Sequence, residues 1–250
     1  MARINELSLI RFRTMTQSAP KHSLPGHNTQ ARLLETAERL FANNGIDGVS
    51  LNRIRTEAKA RNSSALQYYF GSKKVLIEST LAYRMSAINV RRHQMLEALS
   101  GQDREQKIRL VVDALIIPFA EKISSAAGET CYVRFVAQVY SHPDLSIASL
   151  FHNRHASGLR KAIQLLNELL SQLPQRIREQ RIQLLQSLSV HALADLERNI
   201  TSGKGPESPS ELHGFVAGLI QVAVAGLLAP VEQEFTPDLA LNTPDQEASS

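Results

Sequence analysis

Between Ser63 and Lys73 the chain reads Ser-Ser-Ala-Leu-Gln-Tyr-Tyr-Phe-Gly-Ser-Lys. Ser63, Ser64 and Gln67 carry donors and acceptors suited to base edges. Tyr68 and Tyr69 can stack on sugars, touch thymine methyls or donate to phosphate. A plainer reading packs one of the two rings beneath the following helix. Such side chains read a duplex only when one short helix presents them together, because the major groove admits a single helix.

Elsewhere the sequence offers less chemistry. His152 and His155 share a helical spacing but have no third ligand at metal-site distance, so no metal is expected. His191 and Asp195 fall at i and i+4, yet no nucleophile, glycine-rich phosphate loop or oxyanion hole accompanies them. No catalytic residue and no cofactor are therefore assigned. Cys131, Arg134 and Phe135 lie in one helical segment and are candidates to line a ligand cavity. Arg134, if buried, requires either an acidic partner or an anionic ligand, because an unpaired guanidinium is costly in the interior.

The elements that would position these groups are all helical. Leu33, Leu34, Ala37, Leu40 and Phe41 recur at helical spacing from Thr29, and Gly45 stops the run. Ser50 caps a short second helix with Leu51, Ile54 and Ala58 inward. A break at Lys59-Ala60-Arg61-Asn62 precedes a third helix, Ser63 to Phe70, whose inner edge is Leu66 and Phe70. Gly71 ends it, and Ser72 caps a long fourth helix from Lys73 to about Leu99. Further helices are expected at roughly 104–125, 129–141, 145–172, 175–201 and 210–229, with Pro118 a possible kink in the first of them. Strand-forming runs are nearly absent, and the fold class is all-α.

Composition sharpens the reading. Of 28 Lys and Arg, 13 fall in residues 1–85, against 6 of the 24 Asp and Glu, so basic charge is concentrated at the front. That asymmetry suits a polyanion-binding head on a more acidic body. One cysteine excludes an internal disulfide, and no secretory signal is legible, which points to the cytoplasm. The most apolar stretch, Phe215 to Ala229, is interrupted by Gln221 and reads as a buried helix rather than a membrane span.

Taken in order, the helix Ala31 to Phe41, then Gly45, then Val49-Ser50-Leu51-Asn52-Arg53-Ile54, then Ser64 to Lys73, resemble the TetR (tetracycline-repressor-like) family. The resemblance spans Thr29 to about Ile77. It implies a three-helix helix-turn-helix head joined by the fourth helix to an all-helical ligand-binding and dimerisation domain. It also implies that Ser50 and Asn52 hold phosphate, that Gln67, Tyr68 and Tyr69 lie in or beside the groove, and that Lys73 anchors another phosphate. The turn departs from the family pattern. Family turns usually begin with Gly, whereas this one reads Lys59-Ala60-Arg61-Asn62-Ser63 and is one residue longer, so Lys59 or Arg61 can take over a phosphate contact.

The expected organisation is a mobile tail at 1–28, a DNA-binding domain at 29–75, an effector and dimerisation domain at 76–235, and a C-terminal tail at 236–250. Expected partners are a double-stranded DNA operator, a small-molecule effector and a second copy of the chain. The apolar residues of 210–229 cover nearly the whole helix circumference and the stripe at Leu184, Leu185, Leu188, Ala192 and Leu196 matches them, which favours a dimer. The expected function is a repressor relieved by that effector; an all-α enzyme or an adaptor using a basic bundle for protein contacts is the alternative.

Overall fold

A computed structural model describes residues 25–60, 65–125, 131–145 and 156–231. Among these the chain is helical, with no strand: α1 (Pro25–Asn44), α2 (Leu51–Glu57), α3 (Ala65–Tyr69), α4 (Lys73–Glu97), α5 (Arg104–Ser125), α6 (Tyr132–Tyr140), α7 (Ser157–Leu169), α8 (Gln175–Thr201) and α9 (Pro209–Leu228).

The first three helices form a small head because their apolar positions converge. Leu33, Ala37, Leu40 and Phe41 of α1 meet Ile54 of α2, Leu66 of α3 and Phe70 just beyond it, all essentially buried. Local chemistry sets the ends. Ser50 Oγ accepts from the Arg53 amide and Ser72 Oγ from the Val75 amide, both at 3.2 Å, each such cap being worth about 1 kcal/mol. Gly45 and Gly71 end their helices at φ +74° and +70°, where a side chain would be strained. Lys59 takes a similar conformation at φ 50° without being glycine, which is where the turn departs from the family pattern.

α4 leaves the head and continues into the body, burying Leu81, Met85, Ile88 and Leu96 on one stripe. α5 runs through the centre against α4, α7 and α9. α8 and α9 pair through a turn, and Ser208 caps α9 by accepting from the Glu211 amide. By length and composition α9 would suffice to cross a membrane, with mean hydropathy 1.6. Its Leu219, Ile220, Ala223, Val224 and Leu227 are instead buried against the protein's own core.

One expected boundary changes. α1 begins at Pro25 rather than Thr29, because a proline's missing amide costs nothing in a first helical turn; the rest of the expected tail lies outside the described residues. Of the helix expected at roughly 145–172, residues 146–155 lie outside the described residues, and the described helix is Ser157–Leu169. α5 continues through Pro118 without interruption. His152, His155 and the tail at 236–250 also lie outside the described residues.

Candidate nucleic-acid interface

α3 presents what the sequence promised for its described part. Ala65 and Leu66 face inward, Gln67 and Tyr68 are exposed, and Tyr69 is half-buried. Tyr68 is 82% exposed, which disposes of the reading that its ring packs under α4. Tyr69 fits that reading better, lying edge-on to Tyr68 at 5.1 Å and tilted against Phe70 at 6.1 Å. Ser63 and Ser64 lie outside the described residues.

The flanks carry exposed polar groups and a helix N-terminus. Ser50 and Asn52 are both exposed at the start of α2. Asn52 Oδ1 accepts from Arg55 at 2.8 and 3.2 Å, which leaves the amide nitrogen as a donor. Lys73 opens α4, whose first amides add positive potential, and its ammonium sits 5.9 Å from the centre of the Phe41 ring. Glu57 binds Arg39 at 2.8 Å and Arg53 at 3.0 Å, and these guanidinium hydrogen bonds hold its carboxyl below the usual range.

A second set of contacts ties the head to the body through α6. The Glu38 carboxylate, buried on α1, accepts from the Cys131 amide at 3.2 Å and pairs with Arg84 of α4 at 3.0 Å. Glu197 of α8 accepts from the amides of Val133 at 3.4 Å and Arg134 at 2.8 Å. Two carboxylates, one from the head and one from the body, thus accept from three amides at the open start of α6. Arg134 donates to Asn43 of α1 at 2.9 Å and lies 3.6 Å from Glu197. Phe135 stacks on Phe41 with centroids 5.9 Å apart, and beyond the far end of α6 His142 lies 3.2 Å from Asp47.

The opposite face of α6 borders a cavity of about 50 Å³ in the body. Val133, Val136 and Tyr140 line it together with residues of α4, α5, α7 and α8. Cys131, Arg134 and Phe135 do not. At 100° per residue they fall on the side that meets the head, and the carboxylate that Arg134 requires is supplied by Glu197 rather than by a ligand. His191 and Asp195 form no acid–base pair: His191 packs edge-on to Tyr140 at 5.8 Å, and Asp195 is paired with Arg198.

Residues 33–80 match the family described as bacterial regulatory proteins, tetR family, and residues 113–226 match the tetracyclin repressor-like C-terminal domain. The chain belongs to the TetR family. A TetR-family transcription regulator from Marinobacter aquaeolei VT8 superposes with a TM-score of 0.51 at 15% identity, covering 78% of this chain and 95% of that one. A TetR-like transcriptional regulator from Rhodococcus sp. RHA1 gives a TM-score of 0.49 at 16% identity, over 83% of this chain and all of that one. No curated protein matches the chain.

Helices α1 to α3 are accordingly the DNA-binding helix-turn-helix of a TetR-family regulator, and α6 to α8 fall within the matched C-terminal domain, which also takes in parts of α5 and α9. Sequence reasoning missed Glu38, Glu197 and Arg92 in this regulator. Each had a signal, because each is a charged residue at a stripe position: Glu38 four after Leu34, Arg92 four after Ile88, and Glu197 four after Leu193.

Proposed function

We propose that this TetR-family chain is a cytoplasmic repressor that binds its operator as a homodimer and is released by a small-molecule effector. The supporting observation is the exposed pair Gln67 and Tyr68 on a helix whose remaining side chains are held by the head's core. In this reading Gln67 and Tyr68 discriminate bases, with Tyr69, Ser63 and Ser64 beside them. Ser50, Asn52 and Lys73 grip phosphates and set register. The head extends to about residue 75 and the effector and dimerisation body to about residue 235, and the chain performs no catalytic step.

The dimer reading draws on α8 and α9. Leu184, Phe215 and Val222 are 60%, 41% and 60% exposed on these adjacent helices, and Gly214, Gly218 and Gly226 have nothing near their open Cβ positions. A second copy laid across this face would bury the apolar residues while the glycines allow close approach. Symmetry of the pair then calls for two half-sites in the operator.

Release follows from the two faces of α6. A ligand opening the cavity displaces Val133 and Val136, and the same short helix carries Phe135, Arg134 and the Cys131 amide against α1. A shift of α6 therefore re-aims the head, and the coupling required is about 1–3 kcal/mol in favour of the DNA-incompetent state.

The test is a salt series of duplex-binding measurements. Gln67→Ala is expected to cost on the order of 1–3 kcal/mol at one base position. Lys73→Ala is expected to weaken all sequences alike and to lower the salt slope by about one. A change of preferred base in Lys73→Ala would reverse the assignment.

A further inference from the structure

Among the described residues, the cavity bordered by α6 is lined by one cation that no carboxylate meets. Arg92 of α4 is 1% exposed and lines the cavity. Its Nε donates to the Ala114 carbonyl at 3.3 Å, one Nη to the Leu115 carbonyl at 3.4 Å, and the other Nη to the Met85 sulfur at 3.5 Å. Its guanidinium carbon stands 5.0 Å from the centre of the Phe119 ring. The first of these bonds has a local cause, because Pro118 carries no amide hydrogen and leaves the Ala114 carbonyl without its helical partner. These acceptors are dipoles. They solvate the guanidinium without neutralising it, and no carboxylate pairs with Arg92 among the described residues.

Burial pushes the Arg92 pKa down to about 10, so it keeps its proton at neutral pH. One turn earlier on α4, Asn89 is 5% exposed with neither amide atom hydrogen-bonded. Of these two polar side chains on successive turns, Arg92 lines the cavity, whose other walls include Leu115, Val136 and Leu159. By contrast Arg134, equally at risk from burial, has Glu197.

We propose that the cavity takes an amphipathic organic anion, a carboxylate on an apolar body, whose head group pairs with the Arg92 guanidinium. This deepens the effector-controlled repression proposed above and rests on it. An Arg fork matches a carboxylate in two parallel hydrogen bonds, and the low-dielectric walls strengthen the pair. The present volume of about 50 Å³ has room for only a few waters, whereas pockets for organic ligands span roughly 300–1,000 Å³. The anion therefore selects an expanded body, and the apolar tail does the expanding.

The experiment is calorimetric titration of the full DNA-free chain with octanoate and phenylpropanoate, each beside its neutral alcohol, octanol and phenylpropanol. The acids are expected to bind at least about tenfold more tightly than the alcohols. Arg92→Gln is expected to weaken acid binding by roughly 30-fold or more and to erase the preference, while Arg92→Lys keeps part of it. Because Arg92→Gln also removes a buried hydrogen-bonding group, Ser189→Asp gives an independent test: it places a carboxylate on the same cavity wall and is expected to exclude the acids. Equal binding of acids and alcohols, an undiminished preference in Arg92→Gln, or no saturable acid binding up to about 1 mM would overturn the proposal. Wild-type operator binding is measured in parallel without acid. Its loss with acid binding intact would sink the repressor reading alone, and the converse would sink the ligand class alone.

Discussion

On one side of α6, Phe135 is wholly buried against Phe41, and the helix's first amides are held by Glu38 and Glu197. On the other side, Val133, Val136 and Tyr140 border a void of about 50 Å³. The first face is close-packed and hydrogen-bonded to both the head and α8. The second has room to move. Because packed interiors displace as units rather than deform smoothly, a helix that is stiffly joined on one side and loosely backed on the other carries motion from the loose side to the stiff one. The two arginines repeat the contrast, Arg134 being paired with a carboxylate at the seam and Arg92 lacking one at the cavity.

The largest effect that separates the two faces is expected from Phe135→Ala. Removing a wholly buried ring from the stack on Phe41 is expected to cost about 3–5 kcal/mol in urea unfolding. Val136→Ala, beside an existing void, is expected to cost about 1–2 kcal/mol from the same curves. Equal losses would erase the distinction between the faces.

A smaller and pH-dependent effect is expected from Glu197. Burial raises its carboxyl to about 7 from 4.5, against the opposing pull of the Arg134 and Val133 amides and the Arg134 charge, with Glu38 adding to the rise. The folded chain thus holds this proton more tightly than the unfolded chain. Its contribution is complete below about 4.5 and is lost as pH rises through 7. Asp113, raised by burial to about 6 from 3.8, acts in the same direction. Thermal midpoints are expected to fall across that window by the equivalent of on the order of 2 kcal/mol, and Glu197→Gln is expected to remove about half of the slope, Asp113 keeping the rest. A midpoint that rises with pH through the window would show that the seam holds Glu197 ionised.

What could be read in advance was what neighbours in sequence decide. Ser50 and Ser72 were legible as caps, and Gly45 and Gly71 as stops, because each acts on amides or dihedrals within a few residues. The exposure of Gln67 and Tyr68 followed from Leu66 and Phe70 taking the inner edge of α3. The cavity was not legible. Periodicity groups Cys131 with Phe135 and Val133 with Val136, but it does not say which group meets the head and which the void. Glu38 and Cys131 are bonded across 93 positions, and Arg134 and Asn43 across 91, distances over which no local rule reaches.

The central claim is that α3 reads sequence as part of a two-fold assembly. Selection of bound duplexes from a random library by the full chain tests it most directly. The account predicts enrichment of two inverted half-sites with centres about one helical turn, or a multiple of it, apart, held less tightly as salt rises. Retention of all sequences alike would contradict sequence reading by α3, and enrichment of a single unrepeated site would contradict the two-fold assembly.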